Sequence, residues 1–245
     1  MAYNRYIILV IDSDSDPIYE TGRELWRLNA ARHGARLFFL RARPDVPDDT
    51  VYLDGDVIYS SWVEEMHPRI NDKTHKAIQY CLENVADFDY ILRTNLSSFY
   101  RLDLLANFLE SAPKEAFYAG PLTHLAVDIE EGGKYELDYI SGSGIVMSKD
   151  LIPILLAKKP DIPTYHVDDI WIGVALLFLP RHDIPRCDLT DIRDIDFGST
   201  RQVVARLEEA AQQGIFHFRI KNVGKHPRYV LDSLVFSLVM QRFLP

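Results

Sequence analysis

An unbroken apolar run, Tyr6–Ile11 (YIILVI), is followed at once by acidic and hydroxyl residues. Six residues are strand length, and the absence of polar–apolar alternation indicates a strand that is covered on both faces. Such strands lie in the centre of parallel sheets, and open α/β sheets bind their ligands at the carboxyl ends of these strands. The run therefore predicts an α/β fold with a polar site just after Ile11.

Segments typical of helices and strands alternate along the rest of the chain. Helical spacing and turn residues predict helices at residues 18–34, 71–85, 102–109, 170–179 and 202–212, another that begins at Asp150, and a last one that ends at Phe243. Short apolar runs predict strands at residues 37–40, 57–59, 90–92, 117–119, 145–147 and 215–220, with a hairpin near the glycine pair 132–133. We predict one α/β/α sandwich domain over residues 1–245, with a mixed, mostly parallel twisted sheet.

Composition limits what this domain can bind. The chain has 245 residues, 47% of them hydrophobic, which is enough for one sizeable core. Its net charge of −9 argues against a general binder of nucleic acids or membrane surfaces. No apolar stretch approaches the roughly 20 residues that span a bilayer. Cys81 and Cys187 are too few for a disulfide framework and fit a reducing compartment. Since the sequence shows no membrane anchor, we expect a cytoplasmic protein.

The acidic loop after the first strand, residues 12–16, has three interpretations. Its pattern resembles the first motif of haloacid-dehalogenase-type phosphatases, with Asp12 as the nucleophile and Asp14 as the general acid. Alternatively, Asp12, Ser13 and Asp14 face the ribose and base of a nucleotide. The third interpretation is a solvated loop that caps the following helix.

Two further acidic patterns suggest chemistry. Asp54-Gly55-Asp56 has the Asp-x-Asp spacing that holds a divalent cation in many glycosyltransferases, although a turn between strands has the same composition. Asp168 and Asp169 precede an otherwise apolar helix, so that a carboxylate is partly desolvated beside a helix N-terminus. That setting suits a general base, and ordinary helix capping explains the same pair equally well.

Basic residues concentrate near the C-terminus of this acidic chain. They are His217, Arg219, Lys221, Lys225, His226 and Arg228. Alternation places His217, Arg219 and Lys221 on one face of a strand, where a guanidinium fork and an ammonium group suit a diphosphate. The alternative is a solvated edge strand that carries charge against aggregation, with His217 as a structural residue.

Seven segments form an ordered series of motifs. They are YIILVI at residues 6–11, RELW at 23–26, DVI at 56–58, NDKT at 71–74, RTNLSSF at 93–99, SGSGIVMS at 141–148 and DDIWIG at 168–173. In this order and spacing they resemble the β-1,3-galactosyltransferase and Fringe group of GT-A-fold glycosyltransferases, over nearly the whole chain. Where that group has two metal-binding carboxylates, this chain has Asn95 and Ser97, whose neutral oxygens bind divalent ions far more weakly.

The resemblance implies an inverting transferase that moves a sugar from a nucleotide sugar, with a UDP-sugar as the expected donor, to a hydroxyl of a glycan or glycoconjugate. Asp169 would be the general base, and Asp168 would position the loop or the acceptor. The donor site would comprise Asp12, Ser13, Asp14, Asp56, Arg93, Asn95, Ser97, Gly142, Ser143, His217, Arg219 and Lys221.

Cofactor use follows from the same resemblance. Asn95, Ser97 and His217 are the candidates for holding Mn²⁺ or Mg²⁺. If no metal binds, Arg219 and Lys221 would offset the charge of the departing diphosphate. Two other functions remain open, namely the phosphatase and a noncatalytic relic that binds a sugar nucleotide or a glycan.

Overall fold

The structure, a computed structural model, describes residues 3–47, 50–61, 69–129, 133–159 and 167–244. Its elements in chain order are β1 (Tyr6–Ile11), α1 (Ile18–His33), β2 (Arg36–Ala42), β3 (Val51–Asp54), β4 (Val57–Ser60), α2 (Arg69–Asn84), β5 (Tyr90–Asn95), β6 (Ser98–Tyr100), α3 (Leu102–Ser111), β7 (Tyr118–Gly120), β8 (Leu122–Ile129), β9 (Gly133–Ile140), β10 (Gly144–Ser148), α4 (Leu151–Lys158), α5 (Asp168–Ala175), β11 (His182–Asp183), β12 (Arg186–Asp188), α6 (Phe197–Gln212), β13 (His217–Arg219) and α7 (Arg228–Phe243).

The main sheet has the strand order β11-β7-β10-β5-β1-β2-β4-β3. Its central strand, β1, is parallel to β5 on one side and to β2 on the other, and β4 continues in parallel from β2. By contrast, β10 is antiparallel to β5 and β7, and β3 is antiparallel to β4. This confirms the predicted mixed, mostly parallel sheet.

Alternate residues of β1 enter two separate cores. Ile7 and Leu9 pack with α2, α4 and α5, whereas Tyr6, Ile8 and Val10 pack with α1 and α3 on the opposite face. All five side chains are at most 1% exposed. The unbroken apolar run is therefore explained by helices on both faces of the sheet, as predicted. A third core joins α6 and α7 to a small sheet of β12, β13 and β6.

Four chain segments converge at one edge of the main sheet. Ile11, the last residue of β1, pairs with Asn95, the last residue of β5. On the other side of β5, Gly144 of β10 pairs with Thr94, which brings the loop before β10 to the same edge. The small sheet adds β13, because Arg219 pairs with Ser98. The fold thus assembles a site from segments far apart in sequence.

Several predicted boundaries differ from those observed. The helix predicted at 170–179 ends at Ala175, and the strand predicted at 215–220 is only His217–Arg219, so that Lys221 lies beyond it. The helix predicted from residue 202 begins at Phe197. Asp196 caps it, because its side chain accepts a hydrogen bond from the Ser199 N–H at 2.6 Å.

Strands β3, β6, β11 and β12, each two to four residues long, were not predicted. The predicted hairpin is formed by β8 and β9, and residues 130–132 at its tip lie outside the described residues. A search of the described ranges finds no helix with the length and apolarity of a membrane span.

Candidate active site

A cleft of about 320 Å³ lies at the carboxyl ends of β1 and β5, where the sequence predicts a site. It is bordered by Ile11, Asp12, Ser13, Ser15, Tyr19, Ile70, Lys73, Arg93, Asn95, Leu96, Ser97, Arg219 and Lys221. Of the predicted donor residues, Asp12, Ser13, Arg93, Asn95, Ser97, Arg219 and Lys221 therefore border one cleft. The basic strand and the acidic loop come together although they are about 200 residues apart in the sequence.

Asp169 stands beside this cleft at the start of α5. Its carboxylate accepts hydrogen bonds from the Gly142 N–H at 2.7 Å and the Ile170 N–H at 2.9 Å. Burial and the neighbouring Asp168 carboxylate raise the pKa of Asp169, whereas Arg93 and the two N–H groups oppose that rise. The group is therefore a stronger base than an exposed aspartate, which fits the predicted role.

Asp168 is 1% exposed, and its carboxylate is bound by other side chains of the protein. One carboxylate oxygen accepts from Arg93 at 2.5 Å, and the other accepts from the Thr74 hydroxyl. Arg93, itself 3% exposed, also donates to the Gly142 carbonyl. The chain of contacts runs from Thr74 through Asp168 and Arg93 to Gly142, whose N–H donates to Asp169. Through these contacts Asp168 positions the loop, and the alternative role, positioning of the acceptor, stays a prediction.

Gly142 is required where these groups meet. A Cβ atom at this position would lie 2.8 Å from the Arg93 guanidinium and 2.9 Å from the Asp169 carboxylate. The space beside the Gly142 backbone is therefore occupied by the protein's own side chains. Ser143 is also 4% exposed, and its hydroxyl accepts from Arg186 at 2.7 Å, so it supports the loop from within.

Asn95 and Ser97, which stand where the resemblance expects metal-binding carboxylates, are both bound to arginine. The Asn95 side-chain oxygen accepts from Arg219, from the Ser97 N–H at 3.1 Å and from the Ser98 hydroxyl at 3.3 Å. The Ser97 hydroxyl accepts from Arg228 at 2.5 Å. An oxygen that accepts several hydrogen bonds beside a cation is a poor ligand for a divalent ion. These residues do not fit Mn²⁺ or Mg²⁺.

His217 is corrected on both of its predicted roles. Its side chain is fully buried and stacks on Tyr100 with ring centroids 4.3 Å apart. Burial and the charges of Arg186 and Arg219 hold the pKa of His217 well below its usual range, so the imidazole is neutral. A cation beside these two arginines would be repelled. His217 is a packing residue beneath the site and neither binds donor nor ligates metal.

Asp56 is also corrected. It lies at the amino end of β4, and its two oxygens accept from the Arg27 guanidinium at 2.7 and 2.9 Å. Asp54-Gly55-Asp56 forms the turn between β3 and β4, where Gly55 has the left-handed φ of 58°. The structure supports the turn interpretation, and Asp56 is not among the residues that border the described cleft.

The acidic loop has a structural role instead of a phosphatase role. The Asp12 carboxylate is fully buried, 2.8 Å from Arg23 and 3.5 Å from Arg41. Burial raises its pKa while these arginines oppose the rise. A nucleophile needs an accessible lone pair, which this carboxylate lacks. Asp14 is 67% exposed, pairs with the same two arginines, and is not among the residues that border the described cleft.

Sequence reasoning missed several residues of the site. Lys73 donates to the Asp12 carbonyl at 3.0 Å, and it belongs to the NDKT motif, which was the available signal. Arg228 was noticed only as part of the basic cluster. Tyr19 and Arg186 carry no sequence signal, because they belong to segments without a recognisable motif. Within the described ranges, no group of three or more His, Cys, Asp or Glu side chains is placed to hold a metal ion.

Comparison with known proteins was made at the levels of sequence and structure. No protein-family model matches the chain. It is 25% identical over 146 residues to UDP-GalNAc:beta-1,3-N-acetylgalactosaminyltransferase 1 of Sus scrofa, which covers 54% of this chain and 44% of that protein. It is 26% identical over 149 residues to beta-1,3-galactosyltransferase 6 of Mus musculus, which covers 55% and 45%. The chain thus spans less than half the length of these curated relatives.

Among solved structures, a glycosyltransferase involved in the glycosylation of the major capsid of PBCV-1 has a TM-score of 0.53. It is 12% identical, and the match covers 96% of this chain and 98% of that one. At such identity the likeness shows the fold, and it confirms the GT-A architecture. The predicted resemblance to the β-1,3-galactosyltransferase group is also confirmed. The three proteins are named as glycosyltransferases, the enzyme class predicted from the sequence.

Proposed function

We propose that this protein transfers a sugar from a UDP-sugar to a hydroxyl of a glycan or glycoconjugate, with inversion at the anomeric carbon. The observation that carries the proposal is the Asp169 carboxylate, which is held on the Gly142 amide beside a cleft bordered by Arg219 and Lys221. A base next to an anion site is what transfer from a sugar diphosphate requires.

The proposed reaction is a single displacement. The acceptor oxygen attacks the anomeric carbon while Asp169 removes its proton. As the new carbon–oxygen bond forms, the bond between the anomeric carbon and the diphosphate oxygen breaks, and its electron pair leaves with the diphosphate. Attack from the opposite side inverts the configuration. Arg219 and Lys221 offset the developing negative charge, which is the part of such reactions where electrostatic stabilisation contributes most.

The surrounding residues keep the base in place. Arg93 donates a hydrogen bond to the Gly142 carbonyl, and the Gly142 N–H donates to the Asp169 carboxylate. Because Asp168 fixes Arg93, loss of either member moves the base as well as changing local charge. The donor assignment draws support from the relative named for UDP-GalNAc. No step is assigned to a metal, because Asn95 and Ser97 do not fit one.

The experiment is Asp169→Asn, which removes the basic carboxylate but keeps an oxygen that can accept from the Gly142 N–H. A thermal-shift screen of nucleotide sugars first identifies the donor, and release of the nucleoside diphosphate with a panel of glycoside acceptors then measures transfer. We expect the transfer rate to fall by a factor of about 10² to 10⁴ with unchanged donor affinity. The matched control is Asp150→Asn, because Asp150 also accepts a backbone N–H, from Ala116 at 2.9 Å.

Asp150 follows β10, whose last residue pairs with Tyr90 at the start of β5, so it lies at the opposite edge of the sheet. Near-normal transfer by Asp169→Asn would disprove the assignment of the base. Binding of UDP without transfer or donor hydrolysis, across the whole panel, would support the noncatalytic relic. Hydrolysis of an aryl phosphate that is lost in Asp12→Asn would overturn both the transferase and the structural role of Asp12.

A further inference from the structure

Two arginines bind the two residues that stand where metal-binding carboxylates are expected. Arg219 donates to Asn95, and Arg228 donates to Ser97 at 2.5 Å. The arginines come from β13 and from the first turn of α7, so they reach this edge independently. Asn95 and Ser97 both border the cleft. Guanidinium groups therefore stand next to the place that a divalent ion would need.

Arg228 is fixed in its orientation. Its Nε lies 2.8 Å from a carboxylate oxygen of Asp232, which is fully buried. One terminal nitrogen donates to the Tyr19 hydroxyl at 3.0 Å, and the guanidinium lies 5.0 Å from the centre of the Tyr19 ring. With its Nε anchored on Asp232, one terminal nitrogen reaches Ser97, which borders the cleft, and the other lies 3.5 Å from the Asp16 carboxylate. Such a preorganised fork binds oxyanions with little loss of side-chain entropy.

Arg219 differs because no carboxylate of the described residues forms a hydrogen bond or an ion pair with it. Its hydrogen-bond acceptors are Asn95 and, at 3.5 Å, the Ser98 hydroxyl. Burial and the nearby charges of Arg186 and Arg228 lower the pKa of Arg219 to about 10. The group is still charged at neutral pH, but its charge is not balanced by a contacting anion. A buried, unbalanced guanidinium favours an anionic ligand.

We propose that Arg219 and Arg228 take the place of the divalent cation and bind the diphosphate of the donor directly. This inference rests on the proposed function only for the identity of that donor. A divalent ion would bring two positive charges. Arg219 and Lys221 together also bring two positive charges. Lys221 is exposed, and the described part of the chain shows no ion pair for either residue. Arg228, balanced by Asp232, adds directed hydrogen-bond donors.

The test is calorimetric titration with UDP, uridine and inorganic pyrophosphate, each in EDTA and in excess MnCl₂. We expect the wild-type protein to bind UDP with affinities in EDTA and MnCl₂ that agree within about twofold. Arg219→Gln should weaken UDP and pyrophosphate by about 10- to 100-fold, since a hydrogen bond to a charged group is lost. Uridine, which has no phosphate, should bind as before.

Arg228 needs a double variant, because its removal alone leaves Asp232 buried without a cation. In Arg228→Gln/Asp232→Asn, the new amide oxygen can still accept from the Asn222 N–H, which bonds Asp232 at 2.8 Å. We expect a loss of UDP affinity of about 10-fold. Arg201→Gln is the matched control, since Arg201 is exposed on α6 and has no ion pair among the described residues.

The outcomes separate this inference from the proposed function. UDP binding that requires MnCl₂, together with sugar transfer, would overturn the arginine site and leave the glycosyltransferase intact. Wild-type affinity in both the Arg219 and the Arg228 variants would also overturn it. Metal-free pyrophosphate binding that is lost in these variants, without any binding of UDP or UDP-sugars, would support the arginine site and overturn the proposed donor.

Discussion

The two sides of the cleft differ in whether their charged side chains are paired with opposite charges. On one side, here called the base side, are Thr74, Arg93, Gly142, Asp168 and Asp169. Each charge there has a partner on the protein, since Arg93 pairs with Asp168 and the Asp169 carboxylate accepts two N–H groups. Few of these groups are open to solvent. The base side is therefore complete before any ligand arrives.

On the other side, here called the anion side, are Asn95, Ser97, Arg219, Lys221 and Arg228. Positive charge exceeds negative charge there, because among the described residues Arg219 donates to the neutral oxygens of Asn95 and Ser98, and Lys221 forms no ion pair. The carboxylates that the resemblance expects are replaced by an amide and a hydroxyl. The anion side is therefore incomplete until an anion binds.

This difference indicates which residues of the site contribute mainly to stability and which contribute mainly to ligand binding. A buried ion pair is costly to break, since the remaining charge is left without a partner. An unbalanced buried cation is costly to keep, and a ligand relieves that cost. Changes on the base side should thus destabilise the fold, whereas changes on the anion side should mainly weaken ligand binding.

The largest effect is expected from Arg93→Met. The change leaves Asp168 buried with only the Thr74 hydroxyl, so we expect the free energy of unfolding to fall by about 3–5 kcal/mol. Arg219→Met removes a similar volume but strands no carboxylate, and the free energy of unfolding should change by less than about 1 kcal/mol. Denaturant unfolding of both variants measures the two values. Equal losses would remove the distinction between the sides.

The sheet and its helices were predictable because the spacing of apolar residues in long segments shows which faces are buried. The apolar run of β1 predicts a central strand, and the family resemblance assigns Arg93, Gly142, Asp168 and Asp169 to one site. In the structure, hydrogen bonds link these residues to one another and to Thr74. The base side was thus largely accessible to sequence reasoning.

The anion side was only half predictable. Arg219 was found through the local concentration of charge, but the contact of Arg228 with Ser97 depends on how α7 packs, and no sequence pattern reports that. His217 was misassigned because alternation gives the face of a strand and says nothing about what covers it. Asp56 was misassigned because its partner, Arg27, is 29 residues away on α1.

A smaller effect, on pH dependence, also separates the sides. Burial and Asp168 raise the pKa of Asp169, so the carboxylate takes up a proton at a higher pH than an exposed aspartate does. Below that pKa, kcat/KM should fall about tenfold for each pH unit. Arg219 stays protonated throughout, because its pKa is about 10. Donor affinity should therefore remain constant over the range in which the rate falls.

A pH profile of kcat/KM, measured together with the donor Kd at each pH, checks this separation. The diphosphate diester of a nucleotide sugar does not titrate between weakly acid and neutral pH, so changes in Kd report on the protein. If donor affinity falls in parallel with the rate, the titrating group belongs to the anion side, and Asp169 is not the group that limits turnover at low pH.

The smallest effect is expected from Lys221→Gln, which ranks the cations within the anion side. Lys221 is exposed, so water and salt screen its charge, whereas Arg219 is half-buried and held by Asn95. We expect UDP affinity to fall by only about two- to fivefold, and the difference from the wild-type protein to shrink as salt is raised. Titrations at low and high salt measure both. A loss as large as that of Arg219→Gln would place the diphosphate at the mouth of the cleft instead of against Asn95 and Ser97.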